Sequence, residues 1–92
     1  MSFRLYRRHD IWRRLSDRRA VRYVCFEALD DGLFCVQSAD FFGLPIDVRV
    51  LRYQADQVIE LFIETGPAER GSVFASLDEA IAAPDVELGG MR

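Results

Sequence analysis

The side chains able to do covalent or acid–base chemistry are few and scattered. His9 is the sole histidine, and Cys25 and Cys35 are the only thiols. A catalytic dyad or triad needs a nucleophile and a base within hydrogen-bond reach. His9 has no such company in sequence, and its neighbour Asp10 falls on the opposite face of any strand. The two cysteines lack metal-site spacing and are too few for a disulfide framework, so both read as small buried hydrophobes. The carboxylate pairs Asp30-Asp31 and Asp78-Glu79 are accounted for by a turn and by a helix start. The chain carries no zinc spacing, phosphate-binding loop, dinucleotide fingerprint or nucleophile elbow. The expectation is a protein that is not an enzyme, with no catalytic, cofactor-binding or metal-ligating residues.

Arginine and the aromatic residues are the types that stand out. All 12 basic residues are arginine, as a GC-rich coding sequence supplies, and a bacterial source is expected. Eight of them, at 4, 7, 8, 13, 14, 18, 19 and 22, fall in the first 22 residues against Asp10 and Asp17, a net +6. Residues 23–92 carry −9, for −3 in the whole chain. Such segregation steers a charged partner to one face even when the total charge is small.

If Phe3 to Leu15 is one strand, Arg4, Tyr6, Arg8, Trp12 and Arg14 share a face, with Asp10 the only acid among them. Guanidinium groups pair with phosphates while rings stack on unpaired bases, which is single-stranded nucleic-acid chemistry. Trp, Tyr and Arg are equally the residues that anchor protein interfaces. The competing reading is that these arginines neutralise acids of the same chain or of a second subunit. A pI near 5.0 lies far below the basic value of a nucleic-acid-binding domain, and no helix-turn-helix or RNP signature occurs. The candidate partner-binding residues are Arg4, Tyr6, Arg8, Trp12, Arg13 and Arg14, joined by Glu60 and Glu64, which share one helix face. Carboxylates so placed suit an inhibitor that blocks a basic site.

The elements that position these residues follow from periodicity. Val21 to Leu29 and Leu33 to Asp40 are rich in β-branched and aromatic residues, and Asp30-Asp31-Gly32 between them suits a three-residue hairpin with Gly32 at positive φ. The expected register sets Phe26 opposite Val36, Cys25 opposite Gln37, Val24 opposite Ser38 and Arg22 opposite Asp40. Phe3 to Arg8 alternates as a third strand, and Asp10 to Arg19 is read as its extension in preference to a short helix. Phe41-Phe42-Gly43-Leu44-Pro45 breaks the pattern. Leu51, Ala55, Val58, Ile59 and Phe62 then recur at helical spacing, predicting a helix from about 50 to 64 that ends before Gly66 and Pro67, although Val58 to Thr65 also fits a strand. Ser72 to Ala75 is read as a short fourth strand. Ser76 and Glu79 form a capping box for a two-turn helix to about Ala83, before Pro84.

The fold expected is therefore α+β: a small three-stranded antiparallel meander, one main helix, a short fourth strand and a short C-terminal helix. At 92 residues one domain over 1–88 is expected, with 89–92 a frayed tail. No apolar run approaches the roughly 20 residues that cross a bilayer, so a cytoplasmic location without membrane partners is expected. The function expected first is a protein-binding inhibitor, immunity protein or accessory regulator. Nucleic-acid binding through the arginine-rich segment is the alternative, and a structural homodimer the third.

Overall fold

The tightest local constraint is the hairpin turn. In the computed structural model, which describes residues 4–69 and 72–82, Gly32 has φ of 71°, the left-handed conformation the turn needs. The Gly32 N–H donates to the Ala28 carbonyl at 2.8 Å and the Ala28 N–H to the Leu33 carbonyl at 3.0 Å. The Asp31 carboxylate accepts from the Leu33 N–H at 2.9 Å. These bonds close β2 (Arg19–Ala28) against β3 (Phe34–Gly43), and β1 (Tyr6–Arg14) pairs antiparallel on the other side of β2. The Asp10 to Arg19 stretch is thus strand as far as Arg14. Residues 15–18 then turn back, with the Leu15 and Ser16 N–H groups donating to the Arg19 carbonyl at 2.9 and 3.2 Å.

The expected hairpin register holds at the open end, where Val24 faces Ser38 and Arg22 faces Asp40. It shifts between Val24 and Cys25, so that Cys25 meets Val36 and Phe26 meets Cys35, correcting the expected Cys25–Gln37 and Phe26–Val36 pairs. Gln37 is the extra residue of this bulge. Its Nε2 donates to the Val58 carbonyl of the main helix at 3.1 Å, a long-range contact that no local strand rule encodes. The bulge also sends the two buried thiols to opposite faces of the sheet. Phe41–Gly43, read as a break, continues β3, because β2 begins two residues earlier than expected and supplies Ala20 and Arg19 as partners for Phe42 and Gly43.

The sheet is covered unequally on its two faces. On one lies α1 (Val48–Glu64), capped by Asp47, whose carboxylate accepts from the Arg49 N–H at 2.9 Å. The strand alternative for Val58 to Thr65 therefore falls away. The helix ends where Thr65 turns extended, its N–H bonding the Leu61 carbonyl at 3.1 Å, and Pro67 opens a 3₁₀ turn over Pro67–Glu69. Val58 is the one fully buried residue of α1, packed with Val24, Phe26 and Cys35 and flanked by Tyr6 and Phe62. On the other face a second, short helix over residues 77–82 buries Ala80 and packs Ile81 and Leu77 against Val21, Tyr23 and Cys25. Ser76 Oγ caps it by accepting from the Glu79 N–H at 3.2 Å, as the capping box predicts.

The chain is thus α+β, and its expected list of strands is corrected at the fourth. Ser72 to Ala75 is not shown as a fourth strand: Phe74 makes a single antiparallel bridge to Phe34, through reciprocal bonds of 2.8 Å, before the chain bends into the Ser76 cap. Residues 83–92, including the tail expected to fray, lie outside the described residues, as does Phe3.

An apolar groove rimmed by arginine as the candidate interface

The alternation of β1 places Tyr6, Arg8, Asp10, Trp12 and Arg14 on one shared face, as expected; it is the face that carries α1, and Arg13 lies on the other. The structure divides this platform. Arg4 precedes β1 and forks onto the turn, reaching both Asp30 oxygens at 3.0 and 2.8 Å and Asp31 at 2.8 Å. That fork holds the Asp30 carboxyl below its ordinary range and pushes the Arg4 guanidinium pKa upward. Arg8 pairs with Asp10 at 2.7 Å. Tyr6 packs edge-on to Phe62 and Phe26, with ring centres 5.7 and 6.3 Å away. Arg13 lies over the Tyr23 ring at 5.8 Å on the far face. Trp12 and Arg14 line a groove instead. Glu60 and Glu64 sit together on the exposed side of α1 and form no ion pair with these arginines among the described residues.

The groove opens where the footprint of α1 ends. Arg22 and Asp40, opposite each other in the register, join at 2.8 Å, and their side chains are only 16% and 12% exposed. The Arg22 guanidinium lies 5.5 Å from the Trp12 ring centre and 5.1 Å from that of Phe42, and the two rings are themselves 5.5 Å apart. Stacking of this kind suits the planar, weakly hydrated guanidinium. Beside this row lies a cavity of about 400 Å³, with Leu44, Ile46 and Leu51 as its apolar far wall. A smaller one of about 120 Å³ continues it under Phe41, Pro45 and Val50.

The rim is cationic. Arg14, Arg18 and Arg19 border the groove, with Asp17 the only acid in its lining, and none of the three forms an ion pair among the described residues. The Arg18 guanidinium donates to the Leu44 carbonyl at 3.2 Å while the Leu44 N–H donates to the Arg18 carbonyl at 3.0 Å, so the rim and the far wall are tied together. Arg14 Nε reaches the Ser16 carbonyl at 3.3 Å.

Beyond the groove, α1 carries more apolar surface than the sheet covers. Val48, Ala55, Ile59 and Ile63 follow helical spacing beside the Val58 seam, yet Val48, Ile59 and Ile63 are 73%, 59% and 76% exposed. With Phe41, Leu44, Ile46, Val50 and Leu51 they make a run of exposed large hydrophobic residues over positions 41–63. Sequence reasoning missed this surface because it read 41–45 only as a break between elements. The available signal was an apolar stretch from Phe41 to Leu51 with no remaining strand to pack on.

Among the described residues no group of three or more His, Cys, Asp and Glu is placed to hold a metal ion, and no helix is long and apolar enough to cross a membrane. Cys25 is fully buried and its thiol is pushed up to about 11 by burial, with Cys35 raised for the same reason. Comparison with known proteins finds no matching family model, no matching curated sequence and no matching solved structure.

Proposed function

We propose that this chain is a non-catalytic protein-binding module of the inhibitor, immunity or accessory-regulator kind, working in a bacterial cytoplasm and docking through the groove and the adjoining strip of α1. The observation that carries the reading is the set of large apolar side chains left exposed around the groove and along one side of α1, Leu44, Ile46, Val48, Ile59 and Ile63 among them. Soluble monomers seldom expose contiguous apolar patches of more than a few hundred Å², and larger ones mark interaction sites. The groove has the composition of an interface as well, with Trp12, Phe42, Leu44 and Ile46 lining it beside Arg14, Arg18 and Arg19.

The test is comparative capture. Native protein and an Ile59→Glu/Ile63→Glu variant, matched in circular dichroism, are each used to capture partners from the source organism. The module reading expects one protein retained by the native chain and lost by the variant. Identical capture by both sets it aside.

A further inference from the structure

Building on that docking reading, we propose that the groove seats an acidic segment of the partner protein, with an aliphatic or aromatic side chain against Trp12, Phe42 and Leu44 and flanking carboxylates on Arg14 and Arg19. The inference starts from charge. Arg4, Arg8 and Arg22 have carboxylate partners within the chain, whereas Arg14, Arg18 and Arg19 border one apolar cavity without an ion pair among the described residues. Arg22 also lines the groove but its charge is met by Asp40, so the charge left to an occupant is that of Arg14, Arg18 and Arg19. An occupant that neutralises the rim must be anionic, and one that dries the floor must also be apolar.

Size and continuity select the source. A cavity of about 400 Å³ is at the small end of the roughly 300 to 1,000 Å³ typical of ligand pockets, fitting one anchor side chain and its neighbours. It runs on into the exposed residues of 41–51 and α1, which a free amphipathic anion would leave uncovered. Nucleic acid would meet the arginines and Trp12 but bring nothing to cover Val48, Ile59 and Ile63. A second copy set groove to groove would oppose three rim arginines with their own likeness. A protein partner satisfies all three, its acidic segment and apolar anchor meeting the rim and the floor while the rest of it covers the strip.

Trp12 is the sole tryptophan, so its emission reports on the groove. The probe is acetyl-Asp-Glu-Leu-Phe-Glu-Asp-amide, titrated into the full chain to millimolar concentration. The expected result is a saturable change in Trp12 emission that weakens about tenfold or more in an Arg14→Glu/Arg19→Glu variant, as reversal of two close charge pairs requires. The same weakening is expected when Leu-Phe in the probe becomes Ser-Ser. An Arg14→Gln/Arg19→Gln variant, uncharged at both positions and checked by circular dichroism, is expected to fall between. No response to the peptide overturns the proposal, as does an equal response to acetyl-Lys-Lys-Leu-Phe-Lys-Lys-amide. Tighter binding of oligothymidylate reassigns the groove to nucleic acid, tighter binding of dodecanoate to a small anion, and a change with protein concentration alone to a second copy; each overturns it. A failed peptide titration beside a partner lost by the Ile59→Glu/Ile63→Glu variant would reject the acidic segment and leave the docking module standing.

Discussion

The guanidinium of Arg22 lies 5.1 Å from the centre of the Phe42 ring while its Nη2 donates to Asp40 at 2.8 Å, so one side chain holds both the charge and the aromatic floor of the groove. Removing Asp40 leaves a mostly buried cation with no counter-ion. Asp40→Ala should cost about 2 to 3 kcal/mol, somewhat below the range for fully buried pairs because both groups keep some solvent contact. Replacing both at once, as Arg22→Met/Asp40→Leu, should recover most of that loss. Urea midpoints at unchanged m-value read both outcomes.

Gly32 is held at φ 71° with nothing within 4 Å of the position a Cβ would take, so any penalty there is one of backbone alone. Gly32→Ala should destabilise by about 1 kcal/mol, and Gly32→Asn by less, since asparagine tolerates the left-handed region better. Gly43→Ala should be nearly neutral, because its nearest neighbour, the Arg18 carbonyl, is 3.8 Å away in ordinary contact. Thermal melts of the three variants rank them.

Asp30 and the two buried thiols give stability a pH profile with opposite signs. Asp30 is depressed below its ordinary 3.8 by the Arg4 hydrogen bonds, so its contribution is present above that pH and disappears as pH falls through the lower folded value. Asp30→Asn should flatten this acid limb. Cys25 is raised from 9.0 to about 11 by burial, so its contribution is complete below pH 9 and is lost as pH rises toward 11, by on the order of 2 kcal/mol. Cys25→Ala should reduce that alkaline slope to the part supplied by the raised Cys35 thiol, while lowering stability at neutral pH through the smaller side chain. Chemical denaturation from pH 2.5 to 11 separates the two limbs.

Polar atoms interrupt the seam under α1: Ser38 Oγ, Gln37 Oε1 and Gln54 Oε1 are buried without hydrogen-bond partners. Unsatisfied groups of this kind are a cost, so Ser38→Ala should leave stability within about 0.5 kcal/mol of native or raise it. Gln37→Ala should be unfavourable, because it cuts the bond to the Val58 carbonyl that ties the bulge to the helix. Unfolding midpoints of opposite displacement confirm the contrast.

The meander, the Gly32 turn, α1 and the Ser76 cap were legible because each is written in a short window. Alternation marks β2, a glycine marks the turn, and a serine three residues before a glutamate marks the cap. The bulge was not legible, since Gln37 owes its place to a carbonyl 21 positions later. Trp12 and the arginines around it were visible as a cluster, but which of them face acids within the chain depends on register and on the turn at Asp30. Phe42 and Leu44, which complete the groove, were hidden by treating Gly43 and Pro45 as punctuation. Pairing of Gly43 with Arg19 overrides that local signal.

The position of β1 at the side of the sheet has a further consequence. Among the described residues no strand pairs with its outer edge, which leaves a nine-residue run of backbone able to template a neighbouring molecule. Arg7, Arg8, Arg13 and Arg14 fall on this run, and like charges repel a second β1 approaching in register. Charge on an edge strand is one of the means by which sheets discourage pairing with a neighbouring molecule, and neutral substitutions along β1 would take that charge from the edge.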